Sequence, residues 1–288
     1  MIPQYLSKKF ASIKELHHFL KDNNEQIISQ KKSTVFKSIE KGAGVSFIDF
    51  DNNTEIVTEK ARGYGFKNEN IYPVVNSTQW LDSHFDVHIK GCYKKTVKEQ
   101  QGKVYLIDTH LKGLGNILSD KSDVNLLVKD IEWKLLGKNI EGSTESLVFE
   151  IPKLKVRPDA LQFMSKTPDL ENSFAMRYLN TAVAIKSNDP AFKEENDLFE
   201  EYIQTIANPE TAKQYGFFYA VKELAIMGEG SICPVIGGSN SATRTIDISE
   251  PSNHSDTNKY EPSKDTQTET KKTTFVKIHP NQSSCFIR

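Results

Sequence analysis

Residues 249–274 set the limit on how much of this chain folds. They are Ser, Thr, Asn, Asp, Glu, Lys and Pro with almost no apolar side chain. Such a stretch has no burial to offset the roughly 1–2 kcal/mol per residue that backbone ordering costs. The sequence therefore predicts a folded part ending near residue 245 and a disordered tail over 246–288, interrupted only by the apolar Phe275-Val276-Lys277-Ile278. What remains is long enough to bury a core as one large domain or two smaller ones.

Charge narrows the partners. Lys plus Arg total 37 against 38 Asp plus Glu, so no electrostatic argument favours nucleic acid or an anionic membrane; a protein partner or substrate is expected. No apolar run approaches the roughly 18–20 residues that cross a bilayer, and the first nine residues lack the basic, apolar, small order of a secretory signal. Cys92, Cys233 and Cys285 are odd in number and far apart. They suggest neither a disulfide framework nor a paired-cysteine metal site, and fit a soluble protein of a reducing, cytoplasmic-type compartment.

Patterning predicts the elements. Ser12 as cap, Glu15 three residues later and Ile13, Leu16, Phe19 and Leu20 on one face mark a helix over 12–22. Period-two alternation with a polar Asp51-Asn52-Asn53 turn marks a hairpin over 44–66. Residues 82–90 alternate strictly, 103–111 are rich in strand formers, and the polar 94–102 between them predicts an antiparallel pair. Beyond residue 120 helices are expected at 122–136, 170–187, 190–207 and 209–227. Asp189-Pro190 and Asn208-Pro209 would open the last two. Residues 147–156 read as an edge strand, because Pro152 lacks a ladder donor. The expected fold class is α/β in the loose α+β sense. A mainly antiparallel sheet over 1–120 is covered by helices, a mostly helical part spans 121–245, and the tail follows.

The chemistry-bearing residues gather on the two strands. Alternation puts Asp82, His84, Asp86 and His88 on the face opposite Phe85, Val87 and Ile89, while Asp108 and His110 share a face of the next strand. The plainest reading is a solvated sheet face. A second is a metal site in which His84, Asp86 and His88, completed by Asp108 or His110, suit zinc or non-haem iron. A third is a cysteine hydrolase in which a carboxylate orients an imidazole base.

For this third reading there is a resemblance. Trp80-Leu-Asp-Ser-His84-Phe-Asp-Val and Gly102-Lys-Val-Tyr105-Leu-Ile-Asp108-Thr109-His-Leu111 resemble the histidine and aspartate strands of the transglutaminase-like, papain-related superfamily, in particular its glutamine-deamidating branch. The likeness implies His84 as general base and Asp108 as its orienter. That family places a nucleophilic cysteine upstream of the histidine, but no cysteine precedes Cys92 here, and Ser46 stands nearest that position. The nucleophile stays unassigned, with Cys233 the best placed of the cysteines. The tail resembles the export signals of type IV-secreted bacterial effectors, which implies delivery into a host cell.

Weaker motifs have simpler explanations. Asp49 to Glu55 has calcium-ligand residue types without the EF-hand glycine and glutamate. Cys285-Phe286-Ile287-Arg288 has the shape of a prenylation box with an unusual last residue. The expected function is an effector-like deamidase or amide hydrolase acting on a partner protein. The alternatives are a protein-binding module presenting an apolar face of the helices at 170–227, or a metal-dependent hydrolase.

Overall fold

The computed structural model describes residues 10–32, 35–36, 69–167, 170–234 and 238–246. The expected hairpin over 44–66, Ser46, the tail and Cys285 lie outside the described residues.

Two helices open the fold, α1 (Ile13–Asp22) and α2 (Asn24–Lys32), followed by strands β1 (Val35–Phe36), β2 (Asn70–Ser77) and β3 (Asp86–His88). Helix α3 (Lys94–Gln100) leads to β4 (Tyr105–Asp108), β5 (Ile117–Ser119), β6 (Asn125–Glu132) and β7 (Ser143–Pro152). Then come α4 (Pro158–Lys166), the long β8 (Glu171–Ile185), α5 (Lys193–Ile203), α6 (Glu210–Tyr215), the longer β9 (Phe217–Cys233) and β10 (Arg244–Ile246). The class is mixed α/β, as expected. Among the described residues no helix is long and apolar enough to cross a membrane.

The strands form two sheets, one in the order β1-β8-β9-β4-β5 with β3 also on β9, the other β10-β2-β7-β6. One half of the β8–β9 ladder packs against the second sheet. Leu106, Phe174, Tyr178 and Ile226 meet Ile71, Leu147 and Phe149 there, all essentially excluded from water. Contact is close enough that a Cβ on Gly230 would stand 2.4 Å from the Phe149 ring. The other half carries helices on both faces. Leu16, Leu20 and Ile27 cover Phe217 and Tyr219, while Phe199, Ile203 and Ala212 cover the alternating Phe218 and Ala220.

Tertiary pairing overrides the helical expectation beyond residue 120. Residues 122–136 supply β6, hydrogen-bonded along its whole length to β7, and 170–187 supply β8. β8 is buried on both faces along most of its length, and a doubly buried strand has no period that separates it from a buried helix. β6 is an edge strand with Asn125, Asp130 and Glu132 exposed, whose Leu127, Val128 and Ile131 also fit helical spacing. The helix expected at 209–227 ends at Tyr215. Gly216 has a φ of 67°, the left-handed turn that closes a helix, and β9 begins directly after it. Gly228 and Gly230 therefore lie inside a strand. β7 is central, with Pro152 as its last residue.

Start signals fared unevenly. Ser12 accepts from Glu15 N at 3.1 Å, and Asp189 accepts from Ala191 N at 2.9 Å. Asn208 caps nothing. Its amide bonds both backbone groups of Leu81, accepting from N at 2.7 Å and donating to O at 3.0 Å.

The strands at 82–90 and 103–111 are both present but do not pair with each other. α3 fills the interval, and β3 and β4 each lie parallel to β9. That shared strand also crosses the expected boundary at 120, since residues 105–119 complete the sheet that 171–233 build.

Candidate functional site

Residues 82–85 form a tight turn that leads into β3. Leu81 bridges to Val87, Asp82 N donates to Asp86 O, and Asp82 Oδ1 accepts from the N–H groups of His84 (2.8 Å) and Asp86 (2.9 Å). Phe85 takes a φ of 58° to close it. The expected solvated face is absent, because Asp82, His84, Asp86 and His88 are exposed by 4%, 4%, 1% and 0%.

This cluster already contains its counter-ion. Lys31 Nζ from α2 donates to Asp86 Oδ1 at 2.5 Å and to His84 O at 3.2 Å, and lies 4.3 Å from the Tyr219 ring centre. Tyr178 Oη donates to Asp86 Oδ2 at 2.7 Å, and Ser239 Oγ to Asp82 Oδ2. Donor atoms of Asp82, His84 and Asp86 come within 4.8 Å of one another, so the metal set expected from sequence changes membership. The ring of His88 instead packs beside Tyr93 and Tyr178. With every oxygen of Asp82 and Asp86 accepting a hydrogen bond and an ammonium supplying positive charge, the cluster fastens α2 to β3.

The cysteine-hydrolase pairing is not assembled. Asp86 is in register with Tyr219 on β9, and Asp108 with Ile232. At about 3.3 Å per residue this leaves His84 and Asp108 tens of ångströms apart. Cys233 stands at the Asp108 end, paired with Glu171. Burial pushes its thiol up to about 12, with Glu229, Glu171 and Asp108 adding to the effect. Burial likewise holds the Cys92 thiol well above its usual range, reinforced by Glu145. A nucleophilic thiol needs the opposite environment.

A different constellation forms where β4 ends against β9. Thr109 and His110 have φ of 46° and 60°, conformations that cost non-glycine residues about 1–3 kcal/mol each and collect at functional sites. Thr109 N donates to Ile232 O and His110 N to Ser231 Oγ at 3.0 Å, so β9 holds the turn. His110 Nδ1 lies 2.7 Å from Glu229 Oε1, and both side chains are buried. A carboxylate only accepts, so Nδ1 carries a proton in this contact. Ser231 Oγ donates to Glu229 Oε2 at 2.7 Å and lies 3.2 Å from His110 Nδ1. Ser173 is directly opposite Ser231 in the β8–β9 ladder, which puts the two side chains on one face with Cβ atoms about 4.5–5.5 Å apart.

Sequence reading noticed only His110 here, as a spare metal ligand. Glu229 and Ser231 were hidden in a presumed helix end and Ser173 in a presumed helix. The alternation Glu229-x-Ser231-x-Cys233 was the available signal.

On the sheet face turned toward the second sheet, opposite Ser231 and Ser173, a cleft of about 320 Å³ opens, walled by Leu118, Phe163, Met164, Ile232 and Pro234 with Asp108 at its edge. Comparison with protein-family models, with curated proteins and with solved structures finds no match to this chain.

Proposed function

We propose that this chain is a serine-type hydrolase of amide bonds in polypeptides, with Ser173 as nucleophile, His110 as general base and Glu229 as the residue that orients it. The observation that carries the reading is the buried 2.7 Å contact of His110 Nδ1 with Glu229 Oε1, beside two serines on one sheet face. Glu229 fixes the tautomer and stabilises the imidazolium that forms during attack. Ser231 is bonded to Glu229 on the Nδ1 side, where it holds the carboxylate and is in the wrong place to give up a proton to Nε2. Ser173 is the other hydroxyl of this face.

The reading requires Ser173 Oγ to come within hydrogen-bond reach of His110 Nε2, so that its proton passes to that nitrogen as Oγ adds to the substrate carbonyl carbon. Collapse of the tetrahedral intermediate breaks the C–N bond, and the proton moves from Nε2 to the departing amine. Water, deprotonated by the same nitrogen, then releases the acid and restores Ser173.

Incubation with an unfolded polypeptide such as reduced casein, read by mass spectrometry, tests the proposal. Fragments are expected from the native chain, falling by about 10²–10⁴-fold in Ser173→Ala and His110→Ala while both variants remain folded by circular dichroism. No fragments from the native chain, or undiminished cleavage by Ser173→Ala, overturns it.

A further inference from the structure

The two sheets meet through polar side chains as well as apolar ones. The ladder of β2 with β7 shifts register between Val74 and Asn76, and such an irregularity re-aims the side chain beside it. Asn76 and, on β8, Asn172 are each 1% exposed, and both line one small cavity of about 10 Å³ between the sheets.

The neighbouring bonds fix which way each amide points. Asn76 Oδ1 accepts from Ser77 N at 3.0 Å and from Asn240 Nδ2 at 2.5 Å, which assigns Nδ2 to the other side. Asn172 Nδ2 donates to Val74 O at 3.1 Å, which does the same for Oδ1. Among the described residues neither Asn76 Nδ2 nor Asn172 Oδ1 has a hydrogen-bond partner. A polar group buried in that state has given up its hydration for nothing, which is why such groups are nearly always paired.

The space itself identifies what pairs them. About 10–15 Å³ is room for a single water and for no organic ligand. No lining residue carries a charge, and none is more than 6% exposed, so an ion would be buried without a counter-charge. One free donor and one free acceptor call for a neutral molecule that both accepts and donates.

We infer that this cavity is a specific binding site for one water molecule, which accepts from Asn76 Nδ2, donates to Asn172 Oδ1 and so ties β2 of one sheet to β8 of the other. The site is a junction of three distant segments. Asn240, in the stretch before β10, holds Asn76, and Thr243 Oγ1 in the same stretch accepts from Asn172 N at 3.1 Å. The inference is independent of the hydrolase reading, because Ser173 and Ser231 project from the opposite face of β8 and β9 to Asn172 and Ile232.

The test is the hydration of the native full-length chain. A crystal structure at about 1.5 Å is expected to show one ordered water within about 2.7–3.2 Å of both Asn76 Nδ2 and Asn172 Oδ1. In solution, water–amide cross-relaxation at the Asn76 side chain of the ¹⁵N-labelled chain should carry the sign of a water held for as long as the molecule takes to tumble. Amides turned to bond each other directly, a water on only one of them, density for none, or a cross-peak of the opposite sign, overturns the bridge.

Discussion

Replacing Lys31 by Met removes the ammonium that, among the described residues, pairs with Asp86 in the 82–88 cluster. The side chains of Lys31 and Asp86 are exposed by only 8% and 1%, so solvent screens their attraction little and does not compensate its loss. The variant leaves Asp86 with the hydrogen bond from Tyr178 but without the ammonium, and breaking a buried pair from one side costs about 3–5 kcal/mol. At a urea slope of about 2–3 kcal/mol/M the unfolding midpoint falls by roughly 1–2 M. Two companions separate the charge from the packing. Lys31→Met with Asp86→Asn deletes both charges, keeps an acceptor for Tyr178, and should recover most of the loss. Lys31→Arg, which keeps the positive charge, should lose less than Lys31→Met. A loss below about 1 kcal/mol, or a double variant no better than the single one, would refute the view that the cluster is an internally neutralised clamp.

Other outcomes follow from the same structure. Gly216→Ala should cost about 1–3 kcal/mol in denaturant unfolding, because its φ of 67° strains any L side chain and a Cβ would stand 2.9 Å from the His17 ring. Desolvation holds the His17 imidazole below its usual value. The stability it contributes is therefore present above about pH 6.5 and lost as pH falls through its folded value, and His17→Gln should flatten that part of a stability–pH curve. Cys233 has the opposite sign. With its thiol raised to about 12, stability holds below about pH 9 and declines from there toward 12, and Cys233→Ala should weaken the alkaline loss. Glu229→Gln should keep the fold, measured by its unfolding midpoint, yet slow casein cleavage by about 10²–10⁴-fold.

What was legible in the sequence had local causes. Ser12 and Asp189 were read correctly because a cap is decided by a few neighbouring atoms. The presence of strands at 86–88 and 105–108 followed from alternation and strand-forming residues. Their pairing was not legible, since both answer to β9, more than a hundred residues later. β8 and β9 escaped because burial on two faces erases the period that marks a strand, and the edge strand β6 because Leu127, Val128 and Ile131 also fit helical spacing. The site was missed with them. Ser173, Glu229 and Ser231 meet only once β8 and β9 are aligned, and only then does the turn at Thr109-His110 have something to face. Residues 82–88 misled for a related reason. Asp82 bonds the backbone of its own turn, so the side chains that alternate in sequence are all carried into the interior.

The central claim is that Ser173, activated through His110 and Glu229, is a nucleophile. Reaction of the folded chain with a fluorophosphonate, followed by peptide mass spectrometry, measures that directly. The account predicts a single adduct on Ser173 that disappears in His110→Ala and in protein unfolded by urea. An adduct on Ser231, or none on either serine while the chain is folded, would contradict it.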